Sequence, residues 1–257
     1  MQAALSGTML TRAPEPGGRE RSAGNPFFES WALRAAIEHL RSGPVEMIPV
    51  GGARDPGAVL PLTRLLGGLP GMGSIWSVWD HIHCFDTTPA GADAAAVLDG
   101  VFGFLDGRGA SLLRWSSLPT DTPFYGELVR YLTGAGLEFQ ETRTRVRPLL
   151  LAGDPQGADC EAAHLRGKRM SETRRRRRRL EEEGRLEVRV HEGPHDAGAW
   201  TGDFLDLEAS GWKGEQGTAF GCRLDERAFF ETLKRDAAAQ GKAWVCSLEL
   251  GGRPVAM

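Results

Sequence analysis

Beyond residue 25 the sequence alternates short apolar runs with longer segments of helical periodicity, and glycines separate most of them. In residues 25–152 the predicted order is helix, three strands, helix, strand, helix and two strands. Elements in that order bury their apolar sides by packing helices against a sheet, which predicts an α/β fold with a mixed sheet. A content of 41% apolar and 25% charged residues agrees with a globular fold and excludes a disordered chain.

The segments of this first block follow from the residues that bound them. Asn25-Pro26 predicts the start of the first helix, because proline suits the first helical turn, and Gly43-Pro44 predicts its end. The glycine-rich residues 67–73 do not open a helix, so they are interpreted as a flexible connection rather than a phosphate-binding loop. Further helices are predicted at residues 92–105 and 122–133, and strands at residues 45–50, 58–62, 74–79, 110–115, 137–141 and 143–151.

A second, smaller block follows a linker at residues 153–157, which combines two glycines with a proline. It is predicted to hold a charged helix, two further helices and little more than two strands, which are too few strands for an independent core. Either the first block completes this unit or the natural chain continues beyond it, and a truncated chain is the favoured interpretation. Its predicted helices are residues 160–183, 197–209 and 225–240, and its predicted strands are residues 186–191, 243–250 and 254 onward.

The composition divides the chain into four regions. Residues 1–24 are rich in Gly, Pro, Arg and Ser and are predicted to be a flexible lead-in. Residues 25–152 are the first lobe, residues 153–184 the linker with its basic helix, and residues 185–257 the start of a second lobe.

The N-terminal sequence and the cysteines indicate the cellular compartment. The N-terminus has no sustained apolar stretch typical of a signal peptide, and no run approaches the ~18 apolar residues that span a bilayer. A cytoplasmic protein without a membrane span is predicted. The four cysteines lie far apart without a CxxC pair, which predicts reduced, buried thiols.

Positive charge is concentrated in one window. Residues 164–189 contain eleven Lys or Arg against five Glu, within a chain of net charge −3. On a helix, several of the consecutive arginines 174–179 lie one turn before a glutamate, which predicts the pairs Arg177–Glu181, Arg178–Glu182 and Arg179–Glu183. Two interpretations remain open: a solvated, partly self-neutralised helix, or contact of Arg174 and Arg175 with an anionic substrate. Nucleic acid is disfavoured, because no aromatic residues interleave with the arginines to stack on bases.

Trp212, Lys213 and Gly214 follow a predicted helix and are candidate substrate-binding residues. In one interpretation the indole stacks on a sugar or base while the ammonium pairs with an anionic group. In the other, the segment caps the helix and the tryptophan fills the interface between lobes. Glu208, one turn earlier, is a candidate general base, or an ordinary solvated carboxylate.

Asp80, His81 and His83 form a second candidate group. Alternation places His81 and His83 on the same face of a predicted strand. A metal site is disfavoured, because no third and fourth ligand follow at the usual spacing. The residues are interpreted either as lining a cleft between the lobes, where Asp80 or His81 contacts the acceptor, or as ordinary polar residues at a strand end.

Several segments resemble one family. The order of elements is similar to the core of GNAT acyltransferases, present here as tandem GNAT-like lobes of which the second is incomplete. The sequence NPFFESW at residues 25–31 resembles the entry helix of CelD-type acyltransferases, which are related to FemABX proteins, and RRRRRRLEEEG at residues 174–184 resembles their basic linker helix. The most specific segment is FLDLEASGWKGEQGTAF at residues 204–220, and the turn at residues 252–256 also fits.

The resemblance implies an acyltransferase, which moves an acyl group from acetyl-CoA or another acyl-CoA to an amine or hydroxyl of a sugar or cell-envelope (exopolysaccharide) precursor. It implies direct attack by the acceptor, and CoA phosphates as one anionic group for the basic helix. No [QR]-x-x-G-x-[GA] sequence for the CoA pyrophosphate occurs in the chain, so the CoA pocket is expected downstream of a C-terminally truncated sequence. Two alternatives stay open: a non-catalytic binding or assembly component, and a FemABX-like transferase that uses aminoacyl-tRNA.

Overall fold

The computed structural model describes residues 25–50, 59–67, 73–89, 93–147, 168–192 and 198–257. These residues contain seven α-helices, and seven strands that form two sheets. One of the sheets combines antiparallel and parallel neighbours. The α/β class with a mixed sheet, predicted from the order of the elements, is confirmed.

The elements of the first block are three helices and four strands. Their bounds are α1 Ser30–Leu40, β1 Glu46–Pro49, β2 Val59–Leu66, β3 Ser74–Val78, α2 Ala94–Gly107, β4 Ala110–Arg114 and α3 Pro123–Gly134. The second block contains α4 Lys168–Glu183, β5 Leu186–Glu192, α5 Ala199–Ala209, α6 Trp212–Glu215, α7 Leu224–Ala239, β6 Trp244–Leu250 and β7 Arg253–Ala256. Short 3-10 turns occur at Pro26–Phe28 and Phe220–Cys222.

The first sheet has the strand order β1-β2-β3-β4. The first three strands are antiparallel neighbours, whereas β4 lies parallel to β3, since α2 carries the chain back between them. One face of the sheet and one side of α2 are apolar, and their burial forms the main core. The most deeply buried side chains of this core are Leu60, Leu62, Trp76, Val78, Val97, Leu98 and Val101.

The second sheet is antiparallel, in the order β5-β6-β7. A two-residue loop joins β6 to β7, and both of its residues, Gly251 and Gly252, have positive φ, 57° and 81°. Two successive positive φ angles are the requirement of a type I′ hairpin turn, which glycine meets without steric cost. This pair of glycines therefore sets the register of the hairpin, with Leu250 opposite Arg253.

Helix α7 belongs to the second block in sequence but packs against α1 of the first. Phe229 is buried in the same cluster as the core of the first sheet. At the contact between the helices, Arg34 forms an ion pair with Asp236, and His39 Nε2 lies 2.9 Å from Thr232 Oγ1. The two blocks therefore share one buried core. The division into separate lobes at residues 153–184 remains a prediction.

The strands predicted at residues 137–141 and 143–151 are wrong as far as the structure describes them. Residues 137–147 contain neither helix nor strand, and every one of them is exposed. Gly136, with a φ of 67°, ends α3 and directs the chain onto the surface. The apolar residues that suggested strands find no face to cover: Val146 is 97% exposed, and Phe139 is half exposed.

The remaining expectations have mixed outcomes. Cys84 is buried, as predicted, but Cys222 and Cys246 are exposed, because both lie where no neighbouring element covers them; all three are unpaired. No helix among the described residues has both the length and the apolarity to cross a membrane. The lead-in, the linker at residues 153–157 and most of the glycine-rich stretch at residues 67–73 lie outside the described residues, together with Cys160.

Candidate functional site

The loop after β3 carries two histidines to the helical part of the second block. β3 ends at Val78, and residues 81–84 form a turn in which Cys84 N–H donates to the His81 carbonyl at 2.8 Å. The prediction that His81 and His83 share a strand face is therefore wrong, because the chain turns before it reaches them. The turn nevertheless holds the two rings side by side, with 6.2 Å between their centroids.

Aromatic rings of both blocks pack against the two imidazoles. The ring of His83 lies parallel to that of Phe229, at 5.6 Å and 7°, and contacts Phe220 at 4.7 Å. The ring of His81 lies between Trp79 and Phe229, at 5.5 Å and 5.4 Å. Loop and helix are therefore joined by packed rings.

A buried carboxylate faces His83. Glu226 Oε2 lies 3.6 Å from His83 Nε2, and Glu226 Oε1 lies 3.3 Å from Arg223 Nε. Glu226 is buried at the first turn of α7, on the same side as Phe229. A charge in this position is tolerated because the guanidinium of Arg223 compensates it.

Burial governs the protonation of the histidines. Burial, and to a smaller extent the neighbouring His83, lowers the pKa of His81 to about 4. Burial also lowers the pKa of His83, although Glu226 acts in the opposite direction. Both rings are therefore neutral at neutral pH. His81 Nδ1 and His83 Nε2 are shielded from solvent and make no hydrogen bond.

The predicted substrate-binding segment Trp212-Lys213-Gly214 forms the short helix α6. Lys213 Nζ donates to Glu208 Oε1 at 2.7 Å, while Glu208 Oε2 accepts the N–H of Phe220 at 2.8 Å. The Glu208 side chain is only 7% exposed. It is therefore buried and fully hydrogen-bonded rather than solvated, and it fixes α6 to the turn that follows. Trp212 stays 63% exposed.

The local structure explains why two positions of this segment are glycines. A Cβ on Gly214 would lie 1.8 Å from the Ala209 carbonyl oxygen, so no other residue fits where α6 folds back onto the end of α5. Gly217 has a φ of 66°, a conformation that favours glycine. Close packing thus accounts for Gly214 without a ligand, although its proposed substrate contact stays a prediction.

Phe220 connects the two groups of residues. Its N–H is bound by Glu208, and its ring contacts His83. Glu208 raises and Lys213 lowers the pKa of His83, although burial and Glu226 have larger effects. The structure thus brings together one junction site, which comprises His81, His83, Glu208, Lys213, Phe220, Glu226 and Phe229, and Trp212 adjoins it on α6.

Asp80 is the predicted site residue with the least direct connection to this site. It is half-buried at the start of the histidine loop. Its charge contributes to raising the pKa of the Cys84 thiol, which is about 11 mainly because the thiol is buried. Cys84 is therefore an unreactive thiol, and contact of Asp80 with an acceptor stays a prediction.

The basic helix α4 is partly self-neutralised. Glu172 binds Arg175 at 2.7 Å and Arg176 at 3.0 Å, and hydrogen bonds from both hold the pKa of its carboxyl at about 2. The predicted pair Arg177–Glu181 forms at 2.8 Å. Among the described ion pairs, Arg178–Glu182 and Arg179–Glu183 do not occur, and these four residues are exposed. Arg174 is exposed, and anion contact by Arg174 and Arg175 stays a prediction.

Sequence reasoning missed three members of the junction site: Phe220, Glu226 and Phe229. A signal for two of them was present. Glu226, Phe229 and Leu233 recur at helical spacing along the predicted helix, so that the glutamate lies within an apolar stripe. A carboxylate in such a stripe is buried with a partner. That the partner is His83, from the other block, could not be read from spacing. No cluster of three or more His, Cys, Asp or Glu suited to a metal occurs within the described ranges.

Comparison with known proteins gives one match. Residues 167–257 match a family model described as an acetyltransferase (GNAT) domain. The matched segment runs from α4 to β7 and contains Glu208, Trp212, Lys213 and Glu226, whereas the histidine loop lies outside it. No curated protein and no solved structure matches the chain significantly. The match supports the GNAT resemblance in this segment, and with it acyl transfer in general.

Proposed function

We propose that the protein is a cytoplasmic, CelD-type acyltransferase, related to FemABX proteins, which moves an acyl group from acyl-CoA to an amine or hydroxyl of a saccharide or cell-envelope precursor. The observation that carries the proposal is the GNAT acetyltransferase match over residues 167–257. That segment supplies α5, α6 and the start of α7, which form one side of the junction site.

The exposed indole of Trp212 supports a saccharide acceptor. A tryptophan ring offers a flat apolar surface for a sugar ring, and Trp212 is 63% exposed beside Lys213. The hydrogen bond from Lys213 to Glu208 limits the freedom of this corner, so little conformational entropy is lost when a ligand binds.

The chemistry requires an acceptor that loses a proton as it attacks the thioester of acyl-CoA, a co-substrate that the reaction consumes. In the implied mechanism both substrates are bound at once, and a backbone N–H polarises the thioester carbonyl. The polar groups that converge at the junction site make it the proposed place for the acceptor.

A direct test incubates the protein with acetyl-CoA and a panel of amino sugars and neutral sugars, and measures free CoA thiol together with the mass of the sugar. Acceptor-dependent thiol release with an acetylated sugar is the expected result. Saccharide binding without thiol release favours the binding or assembly component instead. Transfer only from charged tRNA favours the aminoacyl-tRNA-dependent alternative.

The contribution of Trp212 has a matched control. Trp244 is exposed to a similar extent, 67%, but lies on β6 rather than α6. Trp212→Ala should raise the acceptor KM at least about tenfold, the loss of roughly 1.4 kcal/mol of binding, while Trp244→Ala leaves it unchanged. Equal KM values for both variants and the parent protein contradict acceptor binding at Trp212.

A further inference from the structure

We propose that His83 is the catalytic base that takes the proton of the acceptor, and that Glu226 is the positioning residue that orients its ring. The inference rests on the proposed acyl transfer and names the group that performs the proton step. It assigns this role to a residue outside the segment that matches the acetyltransferase domain.

The two nitrogens of His83 have different surroundings. Nε2 is shielded from solvent and lies 3.6 Å from Glu226 Oε2, whereas a quarter of the side chain as a whole is exposed. A carboxylate on one nitrogen favours the tautomer with its proton there and leaves the other nitrogen with a free lone pair. The distance of 3.6 Å is longer than a hydrogen bond, and contacts of this kind commonly shorten once a substrate is bound.

The other titratable groups of the junction site are less suited to the role. Both oxygens of Glu208 already accept hydrogen bonds, from Lys213 and from the backbone of Phe220. His81 is deeper, its Nδ1 is shielded from solvent, and a pKa of about 4 makes it a poor proton acceptor. His83 combines a neutral ring, a partly exposed side chain and a carboxylate partner.

The ring is also held firmly in place. Phe229 contacts it from α7, and Phe220 contacts it from the turn before α7. The charged groups around it are Glu226 and Arg223 at the start of α7, and Glu208 and Lys213 at α5 and α6. They form two opposite pairs, so the ring experiences little net charge, and burial keeps it unprotonated and ready to accept a proton.

The proposed step transfers the acyl group to the acceptor and one proton to His83. The lone pair of the acceptor amine or hydroxyl forms a bond to the acyl carbon of the thioester, and the proton on that nitrogen or oxygen passes to His83 Nδ1. The bond between the acyl carbon and sulfur breaks, and its electron pair leaves with the thiolate. The imidazolium, stabilised by Glu226, then returns its proton to the thiolate or to water.

The kinetic test compares His83→Gln with a control histidine variant. Removal of a general base lowers kcat by about 100-fold or more, so His83→Gln should show that loss with little change in KM. His39→Gln is the control, since His39 also lies at a contact with α7, through Thr232, but outside the junction site. An active parent protein and an equally active His83→Gln variant overturn the inference.

The pH profile separates the chemical role from a structural one. In the parent protein, activity should fall with decreasing pH as His83 becomes protonated. Because burial lowers the pKa of His83 from its ordinary value of about 6.5, this fall should begin below that pH. Glu226 raises the pKa of His83, so Glu226→Gln should lower kcat and move this acid limb to lower pH. A variant that merely unfolds loses activity without moving the limb. An unchanged limb position in a folded Glu226→Gln variant contradicts the role of Glu226.

A second readout needs no acyl donor. Nitrogen NMR of the imidazole in the parent protein should report the tautomer with the proton on Nε2, and Glu226→Gln should reduce its population. The opposite tautomer in the parent protein overturns the inference even if acyl transfer is observed. If the expected tautomer is found but no acceptor is acylated, the proposed function fails, and the catalytic role of His83 fails with it.

Discussion

The imidazole of His83 lies parallel to the ring of Phe229, with 5.6 Å between their centroids, although the two residues come from different blocks of the sequence. Phe229 is at the same time part of the core beneath the first sheet. A single side chain therefore supports both the candidate site and the main core, so the stability of the fold and the geometry of the site depend on the same contact.

Phe229→Ala should strongly destabilise the protein. Removal of a buried phenylalanine costs about 3–5 kcal/mol through lost burial and the cavity that remains. Urea unfolding should show the loss in a single transition, because the two blocks share this core. Leu224→Ala, at an 88% exposed position of the same helix, is the control and should change the free energy of unfolding by less than about 0.5 kcal/mol. Two separate transitions contradict the shared core.

Acid should weaken the protein through His81. The ring has a pKa of about 4 in the folded protein, against 6.5 for the unperturbed group. The unfolded chain therefore binds a proton first, so this contribution to stability is complete above pH 6.5 and declines as the pH falls toward 4. Its size is on the order of 3 kcal/mol at most.

The measurement is the free energy of unfolding in urea across this pH range, for the parent protein and for His81→Gln. The variant lacks the titrating ring, so its stability should fall less steeply with acid, and the difference between the two curves isolates His81 from the carboxylates. Parallel curves indicate that the ring does not titrate between these limits.

Two glycine substitutions should have opposite signs. Gly214→Ala places a methyl group 1.8 Å from the Ala209 carbonyl oxygen, so α6 must move away, at a cost of about 1–3 kcal/mol. Gly202→Ala, in the exposed middle of α5, meets no atom within 4 Å and should stabilise the protein by about 0.5–1 kcal/mol. Thermal unfolding of both variants checks the prediction, and a neutral Gly214→Ala disproves the close approach.

Glu208→Gln should loosen the corner around Trp212. The substitution removes the charge that binds Lys213 in a buried position, which costs about 1–3 kcal/mol. Glu215→Gln, an exposed residue of α6, is the control and should be neutral. Chemical denaturation gives the stabilities, and the difference in tryptophan fluorescence between each protein and its Trp212→Phe counterpart reports the surroundings of Trp212. Equal effects of the two variants contradict the anchoring role of Glu208.

Local sequence patterns predicted much of the fold. All seven described strands and six of the seven α-helices overlap segments predicted from periodicity, caps and glycines, although β2 extends four residues beyond its predicted end and β7 begins one residue before its predicted start. The four-residue helix α6 was not predicted, because Trp212 to Glu215 are too few residues to show a period. The strand prediction for residues 137–147 was wrong for a different reason. Their apolar and polar residues alternate as in a strand, but a strand also needs a neighbouring strand, and the pattern of one segment does not show whether one is present.

The site was predictable only in parts. Motif resemblance and residue chemistry singled out Trp212, Lys213 and His81, all of which lie at or beside the junction. The contact of His83 with Glu226 depends on how α7 packs against α1. That packing joins segments far apart in the sequence, so no local sequence pattern predicts it. The positive charge of the basic helix suggested an anion-binding surface. Glu172 neutralises part of that charge through ion pairs within the same helix.

The ion pair between Arg34 and Asp236 has a consequence for chemistry at a distance. Asp236 and Glu226 lie on one straight helix, and ten residues correspond to about 15 Å along its axis. Because α7 is one continuous helix, its position near Asp236 also determines the position of Glu226. A change at Arg34 that shifts α7 along its axis therefore alters the distance between Glu226 and His83. A substitution at Arg34, a largely exposed side chain, therefore acts on the proton affinity of the imidazole from the far end of α7.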